Sequence, residues 1–326
     1  MSAHATVPST ASTSSTKPTA PVAPRDPNQQ IVLITGATAG IGRTTALHLA
    51  ALGYHVIATG RRVGELEALR AVAPAGSRLD TTVLDVTSAE SIARAIVEVD
   101  RLSHGHGLDV LVNNAGFGLI GPITEISDSE LRRQYDTNVF GLMAVTRAFV
   151  PAMRDRGRGR IVNVSSLGGK MTIPFMAAYN STKYALESLS DGLRNELRAF
   201  GIDVVVIEPG VISTKFADTA MAPIAQYQDT VYGAAIAKAD VLRGRMEATA
   251  AKPEVVARAI HKAIRRRSPA ARYVAPWYGN IILGLLALTP TRLADVVFRR
   301  VSFLSRGQLA PKPVGAPPTP SSRAAN

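Results

Sequence analysis

The chain has 326 residues, enough for one large domain or two modest ones. Its apolar fraction of 46% supports a sizeable core and excludes a wholly disordered chain. The absence of cysteine excludes disulfides, cysteine-ligated metal centres and thiol catalysis. The net charge of +12 is uneven, because residues 252–326 contain 13 basic and 2 acidic residues. The body of the chain is therefore close to neutral, and the C-terminal quarter is basic.

The two ends of the chain have the composition of tails. Residues 1–28 are rich in Ser, Thr, Ala and Pro and lack the apolar run of a signal peptide. Residues 310–326 have a similar composition, with five prolines. We predict that both segments are disordered. One folded domain is expected between them at 29–276, followed by a basic extension at 277–309.

Between the tails, short β-branched runs alternate with longer helical patterns. Strands that are apolar almost throughout are covered on both faces, so this alternation predicts an α/β fold with a doubly wound parallel sheet. About seven strands are expected, in a single domain with a C-terminal helical extension. The predicted strands are 31–35, 55–59, 81–85, 109–113, 160–165, 202–208 and 272–275. The predicted helices are 41–52, 63–72, 89–102, 128–136, 139–154 and 178–199.

A glycine-rich turn follows the first predicted strand and leads into a helix. Its glycines are Gly36, Gly40 and Gly42. Glycine lets the backbone approach a phosphate, and the free N–H groups at a helix start attract one. The turn is therefore interpreted as a pyrophosphate site, with an ordinary tight connection as the alternative.

The end of the second strand indicates which dinucleotide would bind. An acidic residue there would bind the ribose 2′-hydroxyl of NAD, but this chain has Arg61 and Arg62 instead. Guanidinium groups bind phosphate through paired, charge-assisted hydrogen bonds. The sequence therefore favours NADP(H) over NAD(H). The alternative is that both arginines are merely solvated at a helix start.

Tyr179 and Lys183 are four residues apart on a predicted helix and share one of its faces. A free tyrosine has a pKa near ~10, and a neighbouring ammonium group lowers it. Tyr179 could then exchange a proton with an alcohol or carbonyl while a nicotinamide exchanges the hydride. Ser166 follows the fifth strand and could hold the substrate oxygen. A Tyr-x3-Lys pair alone is usually a surface pair, so the combination supports the prediction.

These motifs together resemble the short-chain dehydrogenase/reductase family over about residues 30–275. The resemblance implies a Rossmann-type fold, oxidoreductase activity and no metal. It also implies that the catalytic residues are Asn138, Ser166, Tyr179 and Lys183. The matching residues, in family order, are Thr35, Gly36, Gly40, Ile41, Gly42, Asp85, Val86, Asn113, Asn114, Ala115, Gly116, Asn138, Ser166, Tyr179, Lys183, Pro209, Gly210 and Thr214.

The resemblance assigns roles that spacing alone does not show. Asp85 would bind the adenine amino group, and residues 113–116 would support the central strand and the adenosine ribose. Asn138 would hold a water that joins Lys183 to solvent, and residues 209–214 would hold the nicotinamide. The residues expected to bind the cofactor are Gly36, Thr38, Gly40, Ile41, Gly42, Arg61, Asp85, Val86, Asn113, Ala115, Gly116, Tyr179, Lys183, Pro209, Gly210, Ile212 and Thr214.

The expected substrate is a small lipophilic ketone, aldehyde or alcohol. Residues 213–247 correspond to the family's lid and contain several large apolar side chains, as does the segment between Ser166 and Tyr179. These features resemble the branch that acts on steroids and retinoids, although the same residues could simply pack the lid on the body. The alternative function is a non-catalytic dinucleotide-binding sensor or scaffold.

The C-terminal extension combines apolar and basic residues. Trp277 and Tyr278 precede an apolar run of eight residues at 281–288, far short of the ~20 needed to cross a bilayer. Arginines then alternate with apolar residues, as in a helix that lies on an anionic membrane surface. Packing on the body or on a second subunit of a homo-oligomer is the alternative. No nucleic-acid partner is expected, because no recognition motif accompanies the charge. The expected location is cytoplasmic, with peripheral contact at the inner face of the membrane.

Overall fold

The structure is a computed structural model that describes Asp26, residues 30–304 and Leu309. Apart from Asp26, the predicted tails at 1–28 and 310–326 lie outside the described residues. Their disorder therefore stays a prediction.

Seven parallel strands form one sheet in the order β3-β2-β1-β4-β5-β6-β7. This arrangement confirms the predicted doubly wound α/β fold. The strand order reverses between β1 and β4, and ligands of such folds bind in the crevice that opens at the carboxyl ends there. The strands are β1 (Ile31–Ile34), β2 (His55–Gly60), β3 (Leu79–Val83), β4 (Val110–Asn113), β5 (Gly159–Val164), β6 (Ile202–Pro209) and β7 (Arg272–Ala275).

Helices cover both faces of the sheet. Those of the body are α1 (Gly40–Ala51), α2 (Val63–Ala71), α3 (Ala89–Leu102), α4 (Asp128–Tyr135), α5 (Leu142–Asp155), α6 (Ala177–Leu197) and α10 (Glu254–Arg265). Successive residues of β1 face opposite layers, as the pleat requires. Val32 and Ile34 pack with α1 and α10, whereas Ile31 and Leu33 pack with α3 and α5. The strand is therefore apolar throughout because both of its faces are buried.

The predicted boundaries lie within a few residues of those in the structure, and two of the differences bear on the fold. The third strand was expected at 81–85 but spans Leu79–Val83, because its pairing with β2 ends where Val83 meets Gly60. The predicted break between helices 128–136 and 139–154 is instead a π-helical segment, Asp136–Gly141, that joins α4 to α5. Such π-helical turns are rare and often occur at functional sites.

The chain after β6 forms a lid, which we define as residues 213–249. It contains α7 (Lys215–Met221), α8 (Gly233–Ile236) and α9 (Ala239–Ala248).

The C-terminal extension forms two helices, α11 (Gly279–Leu288) and α12 (Thr291–Val301), which we call the C-terminal helices. Pro290 lies between them, and it cannot continue a helix because it has no backbone N–H to donate. In the described part of the chain, no helix has the length and apolar character needed to span a membrane.

Candidate active site

The threonine that follows β1 joins the two central strands. The Thr35 hydroxyl accepts hydrogen bonds from the backbone N–H groups of Asn114 and Ala115, each at 2.9 Å. The Asn114 side-chain amide donates to the carbonyls of Thr35 and Gly36 at 3.0 Å. These bonds hold the glycine-rich turn against the end of β4, where the strand order reverses.

The glycines of this turn are required by space and by backbone conformation. Gly36 and Gly40 have φ values of +63° and +52°, which side chains rarely adopt. A Cβ atom on Gly36 would lie 2.8 Å from the Ala115 Cα atom, and one on Gly42 would lie 2.3 Å from the Gly36 carbonyl oxygen. The glycines thus keep these positions of the turn free of side chains at the start of α1, and the cradle they form fits a pyrophosphate group.

The two arginines after β2 have different environments. Arg62 pairs with Glu65. Both arginines line the cleft and are exposed, but Arg61 makes no hydrogen bond or ion pair with the described residues. The Asp85 carboxylate, also in the cleft, accepts hydrogen bonds from the backbone and hydroxyl of Thr87 at 2.9 and 2.7 Å. Burial opposes ionisation of Asp85, but these bonds and the charge of Arg61 hold its pKa below the ordinary value. Arg61 is therefore available to bind an anionic ligand.

The three side chains expected to carry the chemistry lie together. Ser166 follows β5, lines the same cleft as Tyr179 and lowers the pKa of its hydroxyl. The Lys183 ammonium donates to the carbonyl of Val164 at 2.9 Å and lies 5.7 Å from the centre of the Tyr179 ring. Both Tyr179 and Lys183 are buried on α6. The geometry thus places a phenol, a hydroxyl and an ammonium group at the carboxyl end of one strand.

Burial controls the protonation of this pair. It raises the pKa of Tyr179 to about 12, although the hydrogen bond with Ser166 opposes the rise. It lowers the pKa of Lys183 to about 8, although the charge of Glu187 opposes the fall. The expectation of a lowered Tyr179 pKa is therefore wrong for the protein alone, because desolvation makes the largest contribution to the shift. At neutral pH, Tyr179 is a neutral phenol that can donate a proton, and Lys183 remains mostly charged.

Behind Lys183 lies a buried acidic group that the sequence analysis missed. Glu187 pairs with Lys170 and Arg272, each at 3.0 Å, and Glu208 pairs with Arg272 at 3.2 Å. Burial and the charge of Glu187 raise the pKa of Glu208 to about 7. The sequence spacing could have indicated Glu187, because it lies one helical turn beyond Lys183 on the same face of α6.

Two of the residues expected to bind the cofactor support the walls of the cleft instead of lining it. Gly42 permits close packing of α1 against the turn, because a Cβ atom at this position would lie only 2.3 Å from the Gly36 carbonyl oxygen. The side chain of Asn113 is buried and donates to Thr146 at 2.9 Å and Asn163 at 3.0 Å. Asn113 thus supports the central strand, as expected, but its side chain does not face a ligand.

Asn138 is also buried outside the cleft. Its side-chain amide donates to the Phe117 carbonyl at 2.9 Å and the Thr182 hydroxyl at 3.1 Å, and its oxygen accepts from the Phe117 N–H at 3.1 Å. These bonds occupy the side chain and fix the loop that follows β4. Asn138 is therefore a positioning residue, and the water expected beside it stays a prediction.

The remaining predicted residues surround one cleft of about 500 Å³, within the usual range for ligand pockets. Apolar side chains line its outer part, including Met171, Ile173, Phe216 and Met246, and the rings of Phe216 and Tyr179 are 5.4 Å apart. Phe117 also lines it without having been assigned to the cofactor. The predicted residues in the lining are Gly36, Thr38, Gly40, Ile41, Arg61, Asp85, Val86, Ala115, Gly116, Ser166, Tyr179, Lys183, Pro209, Gly210, Ile212 and Thr214.

Residues 30–224 match the family model for short chain dehydrogenases. The chain belongs to the short-chain dehydrogenase/reductase family, and it is an oxidoreductase by class. This match covers more than half of the chain, and it confirms the family predicted from the motifs.

Among known relatives, the chain is 32% identical to an NADPH-dependent 3-dehydrocapnine reductase from Ornithobacterium rhinotracheale, covering 82% of this chain and 95% of the relative. It is also 32% identical to a 3-ketodihydrosphingosine reductase from Bacteroides thetaiotaomicron, covering 82% and 94%. Human retinol dehydrogenase 8 is 37% identical over 59% of this chain and 62% of its own. The predicted resemblance to the branch that includes retinol dehydrogenases is thus confirmed.

Solved structures give the same class of fold. A short-chain dehydrogenase from Streptomyces avermitilis matches with a TM-score of 0.66 and 32% identity, covering 85% of this chain and 98% of that one. The closed form of a serine dehydrogenase, complexed with NADP+, matches with a TM-score of 0.64 and 29% identity, covering 75% and 94%.

The buried charge of Lys183 should reduce stability. The pKa of Lys183 is about 8 in the native protein, against 10.5 for an ordinary lysine. Between these two pH values the native protein binds fewer protons than the unfolded chain, so Lys183 makes the free energy of unfolding rise with pH. We expect Lys183→Met to raise the free energy of unfolding at pH 7 by up to about 3 kcal/mol. The gain should shrink as the pH rises through this interval.

Urea unfolding of both proteins across pH 7 to 10.5 measures the difference. Lys215→Met, which removes an exposed lysine, is the matched control and should change little. A stability difference for Lys183→Met that does not vary with pH would contradict the assigned pKa.

Proposed function

We propose that this protein transfers a hydride between NADP(H) and a lipophilic ketone or aldehyde, or the corresponding alcohol, with Tyr179 as the acid/base. One observation carries the proposal. A buried neutral phenol shares a cleft with Ser166 and Lys183, between a phosphate cradle and an apolar outer part.

NADP(H) is the cofactor, in agreement with the sequence prediction. Arg61 lies at the end of β2 without a protein partner among the described residues, where a 2′-phosphate can be bound. A similar structure is complexed with NADP+, and a similar reductase is NADPH-dependent. When bound, the cofactor would supply or accept the hydride.

The protein side chains would handle the proton. In reduction, the Tyr179 hydroxyl donates its proton to the substrate oxygen, which the Ser166 hydroxyl helps to hold. The phenolate left behind is stabilised by the Lys183 ammonium, whose nitrogen lies 5.7 Å from the ring centre. Burial keeps the phenol of the free protein protonated at neutral pH, which is the form that reduction requires.

The non-catalytic sensor or scaffold is not favoured. A protein that only bound a dinucleotide would not need Lys183, whose burial opposes its charge, in the same cleft as Ser166 and Tyr179. Such perturbed groups in a cleft are typical of catalysis.

Tyr179→Phe removes only the proton donor. We expect the rate of ketone reduction to fall by about 10²- to 10⁴-fold, the usual contribution of general acid catalysis. Binding of NADPH, measured by fluorescence titration, should stay within several-fold, because the ring is retained. Unchanged reduction rates with intact folding would disprove the acid/base role.

Arg61→Ala tests the 2′-phosphate assignment. Loss of hydrogen bonds to a charged group costs about 1.5–3 kcal/mol, so the Kd for NADPH should rise about 10- to 150-fold. The Kd for NADH should change little. Arg62→Ala is the matched control with a smaller expected effect, since Arg62 is paired with Glu65. Equal weakening of both cofactors by Arg61→Ala would refute the assignment.

We also propose that the C-terminal helices lie on an anionic membrane surface. Trp277, Leu285 and Leu288 have exposed fractions of 72%, 64% and 85%. Contiguous exposed apolar residues mark interaction sites, and an aromatic residue with flanking arginines suits a lipid interface. The arginines of α12 are Arg292, Arg299 and Arg300, against one acidic residue, Asp295. This charge complements anionic headgroups.

Vesicle co-sedimentation tests this location. The chain should bind vesicles that contain phosphatidylglycerol more strongly than pure phosphatidylcholine, and Leu285→Glu with Leu288→Glu should abolish binding. Val97→Glu, at an exposed position on α3, is the matched control. If the double variant instead converts a dimer into a monomer in light scattering, and the original chain ignores vesicles, a second copy covers this face.

A further inference from the structure

A second cavity lies between the lid, the body and the end of α12. Its volume is about 220 Å³, and its surface is almost entirely apolar. Its lining includes Ile120, Phe175, Ala235, Ile236, Leu242 and Phe303. Protein interiors hold few voids larger than a water molecule, and an apolar cavity of only ~150 Å³ already stays dry and binds benzene. A void of this size and character is suited to an apolar occupant.

The second cavity adjoins the cleft that contains Tyr179. Four residues line both spaces: Ile173, Met176, Val211 and Met246. Two of the four are methionines, whose unbranched side chains adapt readily to neighbouring groups. These four side chains therefore form the boundary between the cleft and the cavity.

The opposite end of the cavity is formed by the chain that follows α12. Phe303 lines the cavity and has a left-handed φ of +58°. Its ring lies under two cations, with the Lys238 nitrogen 4.9 Å and the Arg245 guanidinium carbon 5.6 Å from the ring centre. These cation–π contacts hold the ring at the edge of the cavity. The cavity is thus bounded by apolar groups within and by charged groups at its rim.

From this geometry we infer that the second cavity binds the alkyl chain of the substrate. The inference rests on the proposed function and refines it: the substrate is a long-chain ketone whose carbonyl lies at Tyr179 and whose chain passes Met176 and Met246 into the cavity. The lining offers an inserted polar group few hydrogen-bond partners, so a hydrocarbon chain is favoured over a second polar end. The polar part of the substrate stays in the cleft.

Chain length is the property that tests this subsite. With NADPH and a series of methyl ketones from 2-hexanone to 2-tridecanone, we expect kcat/KM to rise about three- to fourfold per added methylene group and then level off. The rise reports burial of each methylene, and the plateau reports a filled cavity.

A variant that fills the cavity provides a second test of the subsite. Ala239 lines the cavity at the start of α9, whereas Ala237 is exposed in the same lid and does not line it. Ala239→Trp should abolish the gain from chain length and leave 2-hexanone unaffected, while Ala237→Trp should retain the gain. If Ala239→Trp does not fold, Leu242→Trp serves the same purpose from another lining position.

The outcomes separate this subsite from the proposed function. If the original chain reduces 2-hexanone but gains nothing from longer chains, or if both tryptophan variants behave alike, the alkyl subsite is refuted and the proposed function stands. If no ketone is reduced, the proposed function fails. Calorimetric binding of 2-tridecanol still tests the subsite in that case, because Ala239→Trp must weaken binding at least tenfold and Ala237→Trp must not.

Discussion

The buried ammonium group of Lys183 is the interaction on which the rest of the site depends. Its hydrogen bond to the Val164 carbonyl joins α6 to the carboxyl end of β5, and the same nitrogen faces the ring of Tyr179. Ser166 lies two residues after the end of that strand. Lys183 therefore fixes the Tyr179 phenol relative to the Ser166 hydroxyl. Burial opposes the charge, and Glu187 supports it. Lys183 therefore holds the site together, although burial of its charge lowers the stability of the folded protein.

The fold and the composition of the site could be predicted because they depend on local pattern. Alternating apolar runs and helices determine a parallel sheet, and the glycine spacing determines where the chain turns at its edge. The direction of the Tyr179 pKa shift could not be predicted, because it depends on how completely tertiary packing removes water from the ring. Glu208 was missed for a similar reason: it reaches Arg272 through the pairing of β6 with β7.

Three of the predicted site residues share one physical property. Gly42, Asn113 and Asn138 belong to the family's pattern, but the structure buries them beneath the surface that the ligand would touch. A motif records which residues a site requires, and it does not separate contact with a ligand from support of the groups that make contact. Asn138 illustrates the difference, because all three of its side-chain hydrogen bonds hold the protein's own loop and helix.

The apolar residues of the lid show why both sequence interpretations were partly correct. Ala235 and Ile236 are buried and line the second cavity, whereas Phe216 and Met246 line the cleft itself. The lid thus packs on the body without filling the space beneath it, and α12 ends beside that space through Phe303. Since the residues after α12 bound the cavity, deletion of the C-terminal helices would open the cavity as well as remove the exposed apolar surface. Point substitutions on the outer face of these helices can separate the two effects, because they leave the lining intact.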